Sequence, residues 1–206
     1  GVGDKFAKGS RRDLGQVLAN GGLGALLAVA FAIKPEPLFF AAFLGVMGSV
    51  NADTWATELG VLSRAAPRLI TSGEERPAGT SGGVTWLGVW ASAAGALLIG
   101  AMATALTQAA SLLRGGGWEA SAVTFPLLAT IGGVAGSLFD SLLGATVQGV
   151  YFCDYCEKET ERRVHRCGRP TRLARGREWL NNDVVNLAAS AVGGLTAALL
   201  AWIVWR

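Results

Sequence analysis

Charge is scarce in this chain of 206 residues: Asp, Glu, Lys and Arg make up only 16% of it, where a soluble domain carries about a quarter. Histidine occurs once and cysteine three times. An odd cysteine count excludes the paired disulfide framework of small secreted domains. No GxxxxGK[ST] occurs, so there is no Walker A loop. The net charge of +3 is too mild for a nucleic-acid partner. The first thirteen residues are basic and polar, which is not the pattern of a signal peptide. No apolar run sustains a period of two, so no sheet is expected.

What is abundant is apolar. Hydrophobic residues make up 51% of the chain, Gly occurs 29 times, and mean hydropathy is +0.39. A disordered chain is excluded, and a helical membrane protein is the reading that fits. Five stretches reach the roughly 20 residues that a bilayer crossing needs: 14–33, 38–63, 83–106, 120–150 and 182–205. The fourth holds Pro126 and the pair Gly132-Gly133, which predicts a kink or a break into two pieces.

Basic residues set the orientation, because cytoplasmic loops collect them. Lys5, Lys8, Arg11 and Arg12 precede the first span. Arg64, Arg68 and Arg76 follow the second. Lys158, Arg162, Arg163, Arg166, Arg169, Arg172, Arg175 and Arg177 follow the fourth. The opposite side has only Lys34, Arg114 and Arg206. The fold class expected is therefore all-α: a polytopic transmembrane helix bundle of about five spans with a cytoplasmic N-terminus. Residues 1–206 form a single transmembrane domain with a cytoplasmic Cys/His loop at 151–181.

Ionisable residues inside a membrane cost about 2.5–3.5 kcal/mol each on insertion scales, so they are functional candidates by default. Asn51, Asp53 and Glu58 lie in NADTWATELG, and Asp140 lies in GSLFDSLLGATVQ. Asn182, Asp183 and Asn186 open the fifth span, while Asp13, Gln16 and Asn20 open the first. In the topology above, all of them fall towards the cytoplasmic face. Gln16 and Asn20 are spaced i, i+4, as are Asn182 and Asn186. Simpler roles compete. Asn51, Gln16, Asn20 and Gln148 suit interhelical hydrogen bonds, and Asp13 and Asp183 suit helix N-termini. Asp53 and Asp140 lie deepest, where an idle carboxylate is most expensive.

Before the third span comes Gly79, Thr80, Ser81, Gly82 and Gly83, a turn whose free N–H groups at a helix N-terminus would suit an anion. Carboxylates without histidine suit Mg²⁺, which bridges protein carboxylates to substrate phosphates. Arg11 and Arg12, with Lys5, Lys8 and Arg76, lie where they can hold phosphates. Such a site at the cytoplasmic face fits a lipid substrate meeting a soluble nucleotide.

All three cysteines and the only histidine fall within fifteen positions, as Cys153, Cys156, His165 and Cys167. C-x2-C-x8-H-x-C offers four ligands for a closed, structural zinc site. A redox CxxC is the main rival, and it explains neither His165 nor Cys167.

Together, RRDLGQVLANGG, NADTWATELG, GTSGGVT, GSLFDSLLGATVQ and NDVVN resemble an integral-membrane family long catalogued as a domain of unknown function. That family includes the phytyl-phosphate kinase of the vitamin E pathway. Members often carry further hydrophobic residues before the first motif, which implies that at least one N-terminal span is missing here. The resemblance implies transfer of a phosphoryl group from ATP or CTP, with Mg²⁺, to a prenyl monophosphate such as phytyl or geranylgeranyl phosphate. Asp53, Glu58, Asp140 and Asp183 would hold Mg²⁺ or position the nucleotide. Arg11, Arg12 and the Gly79–Gly83 turn would hold phosphates, and Asn20, Asn51, Asn182 and Asn186 would orient these groups. The expected location is the cytoplasmic (inner) membrane. Three alternatives remain open: a lipid-phosphate cytidylyltransferase, an ion-coupled transporter using Asp53 and Asp140, and a structural membrane subunit that would tolerate loss of the buried acids.

Overall fold

A computed structural model describes residues 14–206. Five α-helices carry the fold: α1 (Leu14–Ile33), α2 (Pro37–Gly60), α3 (Trp86–Leu113), α4 (Phe125–Thr146) and α5 (Asn182–Val204). Local chemistry sets their starts. Pro37 opens α2, where its missing N–H costs nothing. Thr85 caps α3 by accepting from the Gly88 amide at 3.0 Å, and Asn181 caps α5 by accepting from Val184 at 3.1 Å.

The fourth stretch departs from its expected kink. Residues 120–124 form a short 3-10 turn, and Pro126 sits in the first turn of α4, where proline is tolerated. Gly132 and Gly133 lie inside an unbroken helix. They serve close packing: a Cβ on Gly132 would lie 2.6 Å from the Gly193 carbonyl oxygen of α5, and one on Gly133 would lie 2.8 Å from the backbone of Gly48 in α2. Helix backbones meet here because no side chain separates them.

Among the described residues, four segments are long and apolar enough to cross a membrane: α1, α3, residues 120–146 and α5. The exception is α2, whose second half carries Asn51, Asp53 and Glu58. It is the central helix, packed against all four others, so neighbouring protein shelters much of its polar half. Outward faces are apolar instead: Leu26 and Val29 of α1, Leu98 and Met102 of α3, and Leu195 and Leu199 of α5 are exposed. A protein surrounded by lipid has this arrangement.

The bundle is graded along its length. At one end Leu44, Ala122, Phe125 and Ala129 form an apolar cluster, with Phe40 against Phe125 at 5.1 Å between ring centroids. The polar residues gather towards the other end, where the connections fold. There β1 (Arg68–Leu69) pairs antiparallel with β2 (Gly83–Val84) just before α3. Straight after α4, β3 (Val150–Cys153), β4 (Lys158–Thr160) and β5 (Arg172–Arg175) form an antiparallel sheet in the order β4-β3-β5. The expectation of a polar loop without a sheet missed this element. Strands of three and four residues are too short to show a period of two.

Candidate functional site: paired carboxylates and a Cys/His knot

Helix register brings the deep carboxylates together. Glycines align α2 with α4 in parallel: Gly45 meets Gly132, Gly48 meets Gly133, and Ser49 meets Gly136. The antiparallel α5 closes the group, with the Ser49 hydroxyl donating to the Ala189 carbonyl at 3.3 Å. One turn further along α2 and α4 stand Asp53 and Asp140. One turn back along α5 from Ala189 stands Asn186. Asp53, Asp140 and Asn186 are each half-buried. The Oδ2 of Asp140 is buried and has no hydrogen-bond partner.

A further acid, Glu161, follows β4 directly and approaches the end of α4 from outside the bundle. Its Oε1 accepts from Gln148 Nε2 at 3.0 Å. Nothing in the sequence singles it out, because an acid in a charged loop is unremarkable; only the hairpin brings it back to the helices.

The other candidates are placed as follows. Asn51 donates to the Gly95 carbonyl of α3 at 2.8 Å, a link between helices. Glu58 is exposed near the end of α2, about 140° around the helix from Asp53. Asp183 is half-buried in the first turn of α5, where a negative charge suits the helix dipole. Asn182 is half-buried one turn before Asn186. Asn20 is half-buried on α1, one turn before Gly24, which packs against Met47 of α2. Arg11 and Arg12 lie outside the described residues.

The Gly79–Gly83 turn does not open α3 as expected, because Thr85 caps that helix and β2 intervenes. It docks on the end of α4. Gly82 has φ +81° and lies so close to Ala145 that no Cβ fits. Ser81 donates to Gln148 Oε1 at 2.9 Å. Arg175 of β5 clamps the joint, donating to Gly144 O at 2.7 Å and Ser81 O at 3.2 Å. The Thr80 hydroxyl is committed to Pro77 O at 2.7 Å. Between this turn and the sheet lies a small cleft lined by Gly79, Ser81, Val150, Glu159, Thr160 and Glu161.

At the far tip of the hairpin, Cys153, Cys156, His165 and Cys167 converge, their donor atoms all within 4.8 Å of one another. Cys153 Sγ and Cys167 Sγ are 3.8 Å apart, close to the edge of about 3.8 Å of a tetrahedron with Zn–S bonds of about 2.3 Å. His165 Nδ1 lies 3.1 Å from Cys167 Sγ. The thiols are free rather than bridged. Hydrogen bonding with His165 pulls the Cys167 thiol down to about 6. Hydrogen bonding to Cys167 pushes Cys156 up to about 11. Sulfurs that share protons in this way are what a bound metal would deprotonate. Glu157, which follows Cys156, has φ 52°, a conformation a non-glycine residue keeps only when its surroundings enforce it. The cluster can hold one metal ion.

A family model described as "Integral membrane protein DUF92" matches residues 2–194. Protein PGR of Arabidopsis thaliana is 33% identical over 208 residues, spanning 90% of this chain and 67% of that protein. The uncharacterized membrane protein MJ0933 of Methanocaldococcus jannaschii is 35% identical over 192 residues, spanning 92% of this chain and 62% of that protein. The chain thus spans roughly two thirds of the length of these relatives. No solved structure matches it.

Proposed function

Because the chain belongs to the integral membrane family DUF92, we propose that Asp53 and Asp140 mark the catalytic centre of a membrane isoprenyl-phosphate kinase. The observation that carries this reading is the buried, unpartnered Oδ2 of Asp140 beside Asp53. A carboxylate oxygen kept from water without a donor is costly, and a hard cation is the partner that oxygen ligands suit. Asp53 and Asp140 would hold Mg²⁺, which when bound bridges carboxylates to phosphates and offsets their charge. Glu58 is too far around α2 to join them. Asp183 and Asn186 would flank these acids from α5.

The acceptor is a prenyl monophosphate, already ionised, so the residues need supply no general base. A phosphate oxygen of the acceptor attacks the terminal phosphorus of ATP or CTP. The bond from that phosphorus to the bridging oxygen breaks, and a prenyl diphosphate and the nucleoside diphosphate leave. Catalysis is then positioning and charge neutralisation. The apolar helix flanks would carry the prenyl tail, and the nucleotide would reach the acids from the polar end. That end would face the cytoplasm, in an inner-type membrane. The Cys/His knot would hold a structural zinc ion.

The test is a phosphoryl-transfer assay on detergent-purified protein. Phytyl and geranylgeranyl monophosphate are each offered with ATP or CTP, with and without Mg²⁺, and products are read by mass spectrometry. The expected product is a Mg²⁺-dependent prenyl diphosphate. A CDP-lipid would assign a cytidylyltransferase instead. No product from folded, zinc-replete protein would overturn the enzyme reading and leave the acids as ion sites of a transporter.

A further inference from the structure

We propose that the polar end of the bundle holds anionic phospholipids of the surrounding leaflet. Arg64 and Arg177 are the two contacts for their phosphate groups, and Trp86, Trp90 and Trp179 stand at the edge of the hydrocarbon. This surface is separate from the chemistry of Asp53 and Asp140 and does not depend on it.

Most basic side chains at that end are already engaged. Arg68 pairs with Glu75 at 2.6 Å, Arg76 with Glu74 at 2.7 Å, Arg163 with Glu178 at 3.5 Å and Arg172 with Asp154 at 3.0 Å. Arg175 donates to the carbonyls of Gly144 and Ser81, and Arg169 lies over the Tyr155 ring. Arg64, Lys158 and Arg177 are exposed, and among the described residues no carboxylate pairs with them. Even Glu178, the neighbour of Arg177 in the chain, is taken by Arg163.

Two of these three cations flank exposed tryptophans. The Thr85 hydroxyl donates to Gly60 O at 3.5 Å and ties the end of α2 to the start of α3. Arg64 follows this joint on the α2 side, after the exposed Leu59 and Leu62. Trp86 follows it on the α3 side and is 81% exposed, with Trp90 one turn on at 69%. Just before α5, Trp179 is 62% exposed. Arg177, two residues earlier, is fixed through its backbone N–H, which donates to Val147 O at 3.0 Å. Indole rings exposed at one end of a membrane bundle mark the interface between hydrocarbon and headgroups. An arginine at that boundary with no acid of its own chain is matched by a lipid phosphate. Helix register gives the depth. Gly133 of α4 meets Ala96 of the antiparallel α3. Towards the polar end, Trp90 lies roughly 9 Å beyond Ala96 and Asp140 roughly 10 Å beyond Gly133. Headgroup phosphates therefore stand near the level of the paired acids. Lys158 faces Cys153 at the hairpin tip instead, with the knot rather than with the tryptophans.

Native mass spectrometry of the full, zinc-replete chain in detergent, titrated with dioleoylphosphatidylglycerol or dioleoylphosphatidylcholine, reads the affinity of the first lipids bound. The wild type is expected to bind phosphatidylglycerol more tightly than phosphatidylcholine. Arg64→Gln and Arg177→Gln each weaken phosphatidylglycerol binding about fivefold, and the double variant binds both lipids alike, all with unchanged helical circular dichroism. Lys158→Gln keeps the wild-type preference. Equal affinity for the two lipids in the wild type, or a preference that survives in the double variant, would overturn the lipid contacts. A single variant with wild-type affinity would remove that arginine from the site. A loss in Lys158→Gln as large as in Arg64→Gln would show attraction by net charge alone and overturn the site. Depth is read in vesicles. The fluorescence that Trp86→Phe removes should be quenched more by lipids brominated near the headgroup than by lipids brominated near the chain end, and the reverse order would overturn the placement of the tryptophans. Neither measurement involves turnover, so the kinase reading stands or falls apart from them.

Discussion

Replacing Asp140 by Asn keeps the shape of the side chain and removes its charge. The buried Oδ2 has no partner, so the loss of charge relieves a desolvated group. Asp140→Asn is expected to melt at or above the wild-type temperature in detergent while turnover falls by about a hundredfold or more. Asp53→Asn should lose turnover to a similar degree. If either folded variant turns over at the wild-type rate, that residue does not hold the metal. These two acids were legible in the sequence, because depth in an apolar run makes an acid conspicuous. Glu161 was not, because its loop already holds Glu157 and Glu159 as well as eight basic residues. Glu58 was grouped with Asp53 as a magnesium ligand in sequence, but five positions along a helix turn a side chain away from its neighbour's face.

Packing between helices and the closure of the hairpin are properties of elements. Gly132 of α4 lies against Gly193 of α5 and Gly45 of α2, whereas Gly21 of α1 has open space where a Cβ would go. Gly132→Leu is expected to destabilise the bundle by about 1–3 kcal/mol, as overpacking does. Gly21→Ala should leave the melting temperature unchanged or raise it. Thermal melts of the two purified variants check the contrast, and equal melting temperatures would show that the α2–α4–α5 contact is looser than described. Glycine pairs read as a kink in the sequence because glycine weakens helices, while their value in a bundle depends on which helix lies opposite. The Cys/His knot was legible because four metal-ligand residues fell so close together. The hairpin between them was not, since its strands are held by pairing and by the knot rather than by alternating hydrophobicity. Metal analysis of protein purified without chelators is expected to give one zinc per chain. Chelation should loosen the 151–181 segment, read as faster proteolysis there, before the helices melt.

For the whole molecule, the polar elements share one end of the bundle. The sheet follows the C-terminus of α4, β2 precedes the N-terminus of α3, and Asp53 and Asp140 lie towards that end of their helices. Lys34 and Arg114, by contrast, follow the C-termini of α1 and α3, and Arg206 follows α5, so all three belong to the apolar end. The basic loops at 64–76 and 158–177 belong to the polar end, and the charge asymmetry read from sequence coincides with an asymmetry of structure. If the positive-inside rule governs this chain, a cysteine introduced at Glu74, which is exposed, should be labelled by an impermeant maleimide only after the membrane is opened from its cytoplasmic side. A cysteine at Gly117, exposed at the opposite end, should be labelled in intact cells. The native thiols lie in one cluster, so replacing them in a cysteine-free background disturbs the knot. The wild-type cysteines are therefore retained, and labelling is compared with the unmodified chain. The reverse pattern would turn the polar end away from the cytoplasmic nucleotide and remove the physical basis for a kinase, because a soluble triphosphate could not then reach Asp53 and Asp140.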